Sequence, residues 1–224
     1  MHPVEHLRAI ARSATDDPTD LAASAALALG ELARIDPAAL VAAARRLVER
    51  QPACGAIWWV AARVLAAADP ESECEAAAEE LWADPTFGYV EAASLEVPGG
   101  VSSSWDPAEI ATAGAVGVEV LAIGAAAMAL DPRSSRSLIA ASDLGVQVWL
   151  VAPRGRMLPS RIWSALERMV PGARRQATIE EVPRYVERIF TPSGSMELAE
   201  LASACASSCP EPSELLAPWI SRKT

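Results

Sequence analysis

The apolar positions of this chain follow one period up to about residue 86 and a different one after it. Over residues 1–86 they recur every three to four residues, as in Leu21, Leu27, Leu29 and Leu32 and again in Leu40, Val41, Leu47 and Val48. That spacing places a stripe on one face of a helix. The stripes are punctuated by Asp17-Pro18, Asp36-Pro37, Asp69-Pro70 and Asp84-Pro85. An aspartate accepts from the free amides of a first helical turn, and proline tolerates the position whose amide has no partner, so the dipeptide marks a helix start. Five helices are predicted, over Pro3–Ala14, Pro18–Ile35, Pro37–Arg50, Ala53–Ala68 and Pro70–Ala83. The irregular spacing of the Asp-Pro pairs favours an Ala-rich antiparallel bundle over a repeating solenoid. Ile57–Val60, which contains Trp58 and Trp59, is apolar on more than one face and belongs mid-bundle or at its contact with the next domain.

Beyond residue 86 come continuous apolar runs. Val118–Ile123 and Val146–Val151 are rich in Val, Ile and Leu, as expected of strands buried on both faces. About 22 residues separate them, the length of a parallel crossover and too long for a hairpin. Within the gap, Asp131 and Pro132 open a helix, Leu138 to Leu144 supply its stripe, and Gly145 stops it. Upstream, Tyr89–Val97 carries a strand signal, Pro98-Gly99-Gly100 is linker, and Asp106-Pro107 opens a short helix to about Ala115. Downstream, Ser160–Met169 is an amphipathic helix that covers the sheet. Thr178–Val182 reads as a third strand, Tyr185–Phe190 with Thr191-Pro192 as a turn and short strand, and Met196–Ala206 as a last helix. The fold class is therefore α/β: an N-terminal helical domain over residues 1–86, then a reduced Rossmann-like parallel sheet with flanking helices over 87–224.

Charge narrows the partners. The net charge is −10, with 18 Arg and a single Lys, which argues against a general nucleic-acid binder because such a protein needs a basic face to displace counterions. Residues 131–190 are the local exception, with ten Arg against six acids, while residues 1–86 carry seven basic and fourteen acidic residues. Met1–Ala14 has mixed charge and no apolar core, so no secretory signal opens the chain and a cytoplasmic location is expected. Ile110–Leu130 has the length of a membrane span, but Glu119 near its middle and Gly114 and Gly117 favour two shorter elements and no membrane.

Metal and nucleophile chemistry find little support. Cys54, Cys74, Cys205 and Cys209 show no CxxC pair, the only histidines are His2 and His6, and reduced thiols with no metal are expected. There is no nucleophile elbow, no Walker loop and no GxGxxG, and no other cofactor is implied. Ligands of open α/β sheets collect at the carboxyl ends of the strands, here Gly124 and the Pro153–Arg156 turn. Ser134 and Ser135 open the crossover helix, Arg133 and Arg136 flank them, and Arg154 and Arg156 follow the neighbouring strand. These residues can cradle a phosphate. Read without a ligand, the serines cap a helix and the arginines pair with surface acids.

VEVLAIGAAAM, SSRSLIAASDLGVQVWLVAPRGRMLP and TIEEVPRYVERIFTPSG (residues 178–194), taken in order, resemble the core of the initiation-factor-2B-like family, whose members include isomerases of methylthioribose-1-phosphate and ribose-1,5-bisphosphate. The resemblance covers about 80 of 224 residues. It implies a catalytic carboxylate in a Gly-x-Asp pattern and a reactive cysteine in a Thr-x-Cys-Asn turn. This chain has Ala126 where that Asp falls, Arg133-Ser134-Ser135-Arg136 in place of an Asn-Lys, and no matching cysteine turn. An aldose-to-ketose shift needs a positioned acid or base, which alanine cannot be. The expected function is a non-catalytic regulatory or scaffold module that binds a phosphorylated metabolite, with no catalytic residues. A divergent isomerase and a purely structural oligomerisation module are the alternatives. The resemblance and the apolar surplus also imply a homodimer, through the C-terminal helix and the Trp163 face.

Overall fold

The computed structural model of the chain describes residues 2–13, 17–169 and 186–220. The helical part consists of α1 (Pro3–Arg12), α2 (Pro18–Ile35), α3 (Leu40–Arg50), α4 (Gly55–Ala66) and α5 (Pro70–Trp82), close to the five expected helices. Asp17 accepts from the amides of Thr19 and Asp20, and Asp69 from that of Ser72, so these Asp-Pro pairs act as caps. Helix α2, whose Ala22, Ala25, Ala26 and Ala28 are fully buried, packs closely on α5, and Gly30 lets Cys74 approach its backbone. Helix α4 is apolar except at Arg63 and is buried from Gly55 to Ala62 and at Val64. Trp58 is fully buried there and donates its indole N–H to the Pro52 carbonyl at 2.9 Å, so the largest side chain in the core leaves no donor stranded.

The remainder builds the sheet: α6 (Thr86–Ser94), β1 (Val101–Ser102), α7 (Pro107–Ile110), β2 (Ala115–Glu119), β3 (Ala122–Ile123), β4 (Met128–Ala129), α8 (Pro132–Leu144), β5 (Gln147–Val151), α9 (Ser160–Met169), β6 (Val186–Thr191), β7 (Gly194–Met196), α10 (Leu201–Ala206) and α11 (Ser213–Ile220). The strand order is β1-β2-β5-β6-β7. The first four are mutually parallel and β7 returns antiparallel to β6. One sheet face, with Val116, Val118, Val148, Leu150 and Ile189, packs under Leu138 of α8 and Leu201 and Cys205 of α10. The other, with Ala115, Trp149 and Phe190, packs against Val90 and Ala93 of α6. The α/β class with N-terminal helices and a parallel-dominated sheet stands. The crossover helix α8 is capped by Asp131 and ended by Gly145 in the left-handed region at φ 69°.

Three expectations change. The strand expected at Val118–Ile123 is instead Ala115–Glu119, and Ala122–Ile123 leaves the sheet to pair with Met128–Ala129 in a small antiparallel hairpin. A run that is apolar on both sides of a single acid, Glu119, has no periodicity that fixes where pairing stops. Tyr89–Val97 is not a strand: residues up to Ser94 belong to α6, whose start is held by Asp84, which accepts from the Thr86 amide at 2.8 Å and its hydroxyl at 2.6 Å. The helix expected over Met196–Ala206 begins only at Leu201, because Met196 pairs with Ile189 in the β6–β7 hairpin. The strand expected at residues 178–182 lies outside the described residues. Among the described residues no helix is long and apolar enough to cross a membrane, so the Ile110–Leu130 stretch resolves into short elements.

Candidate ligand site at the carboxyl edge of the sheet

Strands β2, β5 and β6 end side by side at Glu119, Val151 and Thr191, and the segment after β5, Ala152 to Met157, runs across this edge. The Arg156 amide closes a turn onto the Pro153 carbonyl at 3.0 Å, with Gly155 left-handed at φ 78° between the two arginines. That glycine makes Arg154 and Arg156 diverge.

Arg154 faces outward along the edge. Its amide donates to Asp84, and its guanidinium pairs with Glu80 at 3.1 Å, so the turn is tied to the helical part. Its Nε is buried and has no partner among the described residues. A crevice of about 260 Å³ opens beside it, with Trp59 on one wall and Thr191, Ser193, Ser207 and Ser208 on the others; Arg154 is the only charged residue lining it among the described residues. The Ser193 amide donates to Thr191 Oγ1 at 3.2 Å, and that hydroxyl donates to the Gly194 carbonyl at 3.0 Å, which fixes this wall. Ser207 donates its hydroxyl to the Ser203 and Ala204 carbonyls and Ser208 to the Cys205 carbonyl at 2.7 Å, so the side-chain donors left for a small anion are the Arg154 guanidinium and the Ser193 hydroxyl.

Arg156 points the other way, into the protein, and is fully buried. One terminal nitrogen donates to Glu119 Oε1 at 3.1 Å and to Thr19 Oγ1 at 3.5 Å, while Nε and Nη1 have no partner among the described residues. Glu119 and Thr19 line a second crevice of about 470 Å³ with Asp17, Asp20, Asp84 and the exposed Trp82 and Phe87. The Glu119 carboxyl is pushed up from its ordinary value by burial; the Arg156 guanidinium pulls it back down, while the Asp17 and Asp131 charges add to the rise. A glutamate with a raised native pKa holds its proton longer folded than unfolded. This group therefore takes stability away as pH rises from the ordinary glutamate range through the native midpoint. A carbon-detected NMR titration should place the Glu119 midpoint above that of an exposed glutamate and move it higher still in Arg156→Met. A midpoint that falls in the variant would show that the guanidinium does not stabilise this carboxylate.

Cys54 occupies the cap position of α4 beside Arg156, with its sulfur 3.8 Å from the Pro18 carbonyl. Burial raises its thiol, against the pull of the nearby guanidinium. Burial likewise raises Cys74 to about 12, Cys205 to about 11 and Cys209 to about 12, so the four free thiols stay protonated at neutral pH. Among the described residues no group of His, Cys, Asp and Glu is arranged to hold a metal ion.

The start of α8 is already occupied by its own cap. The Arg133 and Ser134 amides donate to Asp131 Oδ1 at 2.6 and 3.0 Å, the Ser134 hydroxyl to Oδ2 at 2.8 Å, and the Ser135 amide to the Asp131 carbonyl at 2.9 Å. Arg136 lies over the Trp105 ring at 4.6 Å and donates to the Pro132 carbonyl, and Arg133 is exposed. Gly124 does not offer an open approach, because an added Cβ would stand 2.7 Å from the Trp163 ring that covers it. The same contact buries Trp163, which removes it from the surface that a second copy can reach. Ala126 sits in the β3–β4 hairpin and not at the end of a sheet strand; the carboxylate at the end of β2 is Glu119. Sequence reasoning missed Glu119 as a site residue, along with Thr19 and the Thr191–Ser208 hydroxyls. The available signal was a lone acid, Glu119, inside an otherwise apolar strand run.

No family model matches the sequence, and no curated protein matches it. Among solved structures, the crystal structure of eIF2B beta from Chaetomium thermophilum is similar with a TM-score of 0.60, over 92% of this chain and 91% of that chain, at 12% sequence identity. With helices first, a parallel-dominated sheet after them and helices on both sheet faces, the chain has the eIF2B-like α/β fold.

Proposed function

We propose that this chain is a regulatory or scaffold module of eIF2B-like fold that binds a phosphorylated small molecule at the carboxyl edge of its sheet without transforming it. The observation that carries the reading is the Arg154 crevice. One arginine, whose buried Nε has no partner among the described residues, lines this crevice together with Ser193 where open α/β sheets take their ligands. The groups able to move a proton lie elsewhere: Glu119 opens onto the acidic crevice, whose carboxylates repel a phosphate, and the buried thiols are held protonated. Anion cradle and acid–base group thus occupy separate spaces that share only Pro153.

Calorimetry with ribose-1,5-bisphosphate, methylthioribose-1-phosphate, nucleotides and inorganic phosphate tests this. A ligand that binds should lose about 1.5–3 kcal/mol of affinity in Arg154→Ala, the range for hydrogen bonds to charged groups. Glu80→Gln, which removes the ion pairs to Arg154 and Arg63 but keeps the Arg154 guanidinium, should leave binding intact. No binding by any of these compounds, or equal binding by Arg154→Ala, sinks the proposal. A divergent isomerase is the second reading, favoured by the Glu119–Arg156 pair with Cys54 at the same seam. Turnover of either sugar phosphate that disappears in Glu119→Gln would establish it in place of the first.

A further inference from the structure

Helices α1 and α3 flank a groove of about 420 Å³ that shares no lining residue with the two crevices described above. Its floor is apolar: Val4 and Leu7 from α1, Leu32 from α2, and Ala43 and Leu47 from α3. The charged residues lining it are Arg8, Arg12, Arg46 and Arg50, and no acid lines it among the described residues. In a chain of net charge −10 these are four of the seven basic residues within 1–86. They form two pairs four residues apart, one turn of helix each, along opposite walls. Arg8 pairs with Glu5, whereas Arg12, Arg46 and Arg50 are exposed and make no ion pair with the described residues. The groove's width is fixed at one end, where the Gln51 side chain donates to the Ser13 carbonyl at 2.9 Å.

We propose that this groove docks an acidic amphipathic helix of a protein partner, with aliphatic side chains on the floor and glutamates or aspartates facing the two arginine rows. The reading is independent of the anion crevice. The shape fits the helix-in-groove mode, in which residues at i, i+4 and i+7 fill an apolar trough, and the walls supply positive charge alone. The chain shows the mode in its own C-terminus. Helix α11, with Glu214 followed by the fully buried Leu215 and Leu216, lies on α3 and α4, and its Glu214 carbonyl accepts from Arg45. Helix α3 thus already receives one such helix beside the face that forms the groove.

The test is fluorescence anisotropy on the full chain with three labelled probes. These are a synthetic helix with leucines at i, i+4 and i+7 flanked by glutamates, the same peptide with lysines for glutamates, and vesicles of anionic phospholipid. The glutamate peptide should bind, weaken as salt is raised, and lose at least about tenfold in affinity in Arg12→Glu/Arg50→Glu. Ala43→Phe, which fills the floor without touching charge, should lose a comparable factor, and circular dichroism should show both variants folded. Absence of binding by the glutamate peptide, equal binding by the lysine peptide, or unchanged affinity in the folded variants overturns the proposal. So does binding of the vesicles without the peptide, which would assign the groove to a membrane surface.

Discussion

Arg156→Ala is expected to lower the unfolding free energy by about 3 kcal/mol, within the range for truncating a large buried side chain to alanine. The side chain has no exposed area, and truncation leaves both a cavity and Glu119 without its counter-charge. Arg156→Met separates the two causes. Methionine keeps most of the stem volume and removes the charge. Because Nε and Nη1 of the arginine have no hydrogen-bond partner among the described residues, the guanidinium repays only part of its own desolvation. The Glu119 side chain is 39% exposed and can recover water. Methionine should therefore cost less than half of what alanine costs in urea denaturation. Equal losses would show that charge and not packing is what matters at this position, and a loss below about 1 kcal/mol for alanine would mean that the arginine is not an internal strut.

Gly155→Ala should cost about 3 kcal/mol, for two reasons that a control can pull apart. At φ 78° any side chain pays roughly 1–2 kcal/mol for the left-handed region. The added methyl would also stand 2.9 Å from Ala56 Cα and 3.1 Å from Trp59 Cβ, on a helix that cannot yield cheaply, which adds roughly 1–3 kcal/mol of overpacking. Gly145 has nearly the same φ, 69°, with nothing within 4 Å of the added atom, so Gly145→Ala should show the backbone cost alone. The difference between the two losses measures how tightly α4 is pressed onto the turn after β5. If both variants lose the same amount, that contact is looser than its geometry implies. Gly55 makes the matching approach from the helix side, since its added Cβ would meet the Leu121 carbonyl oxygen at 2.8 Å.

The bundle helices and α8 were readable because their ends carry chemistry of their own: Asp17, Asp69 and Asp131 accept from first-turn amides, and Gly145 takes a conformation few residues adopt. The end of β2 was not readable, since the run from Val118 to Ile123 goes on apolar after its single acid, Glu119, and the chain leaves the sheet in mid-run. For the candidate site, the carboxyl edge and Arg154 follow from the order of strand, helix and strand. The parting of Arg154 and Arg156 does not, because one left-handed residue between them decides which faces the crevice and which is enclosed. Glu119 and Arg156 lie 37 residues apart and meet only once β2 and β5 have paired. Asp131 illustrates the opposite limit: the sequence placed it correctly as a cap, yet whether a cap leaves amides over for a ligand depends on distances that no spacing rule supplies.

Both margins of the five-stranded sheet are short. Strand β1 offers two residues, preceded by Gly99 and Gly100, and β7 offers three before Leu198 turns the chain into a helical conformation. An open edge of main-chain donors and acceptors is a template on which another chain can add a strand, and the hazard grows with its length and flatness. Here neither side presents more than a turn's worth of free ladder, although β2, β5 and β6 between them are apolar enough to aggregate if laid bare. Among the described residues the sheet therefore offers another chain little free main-chain ladder on which to add a strand.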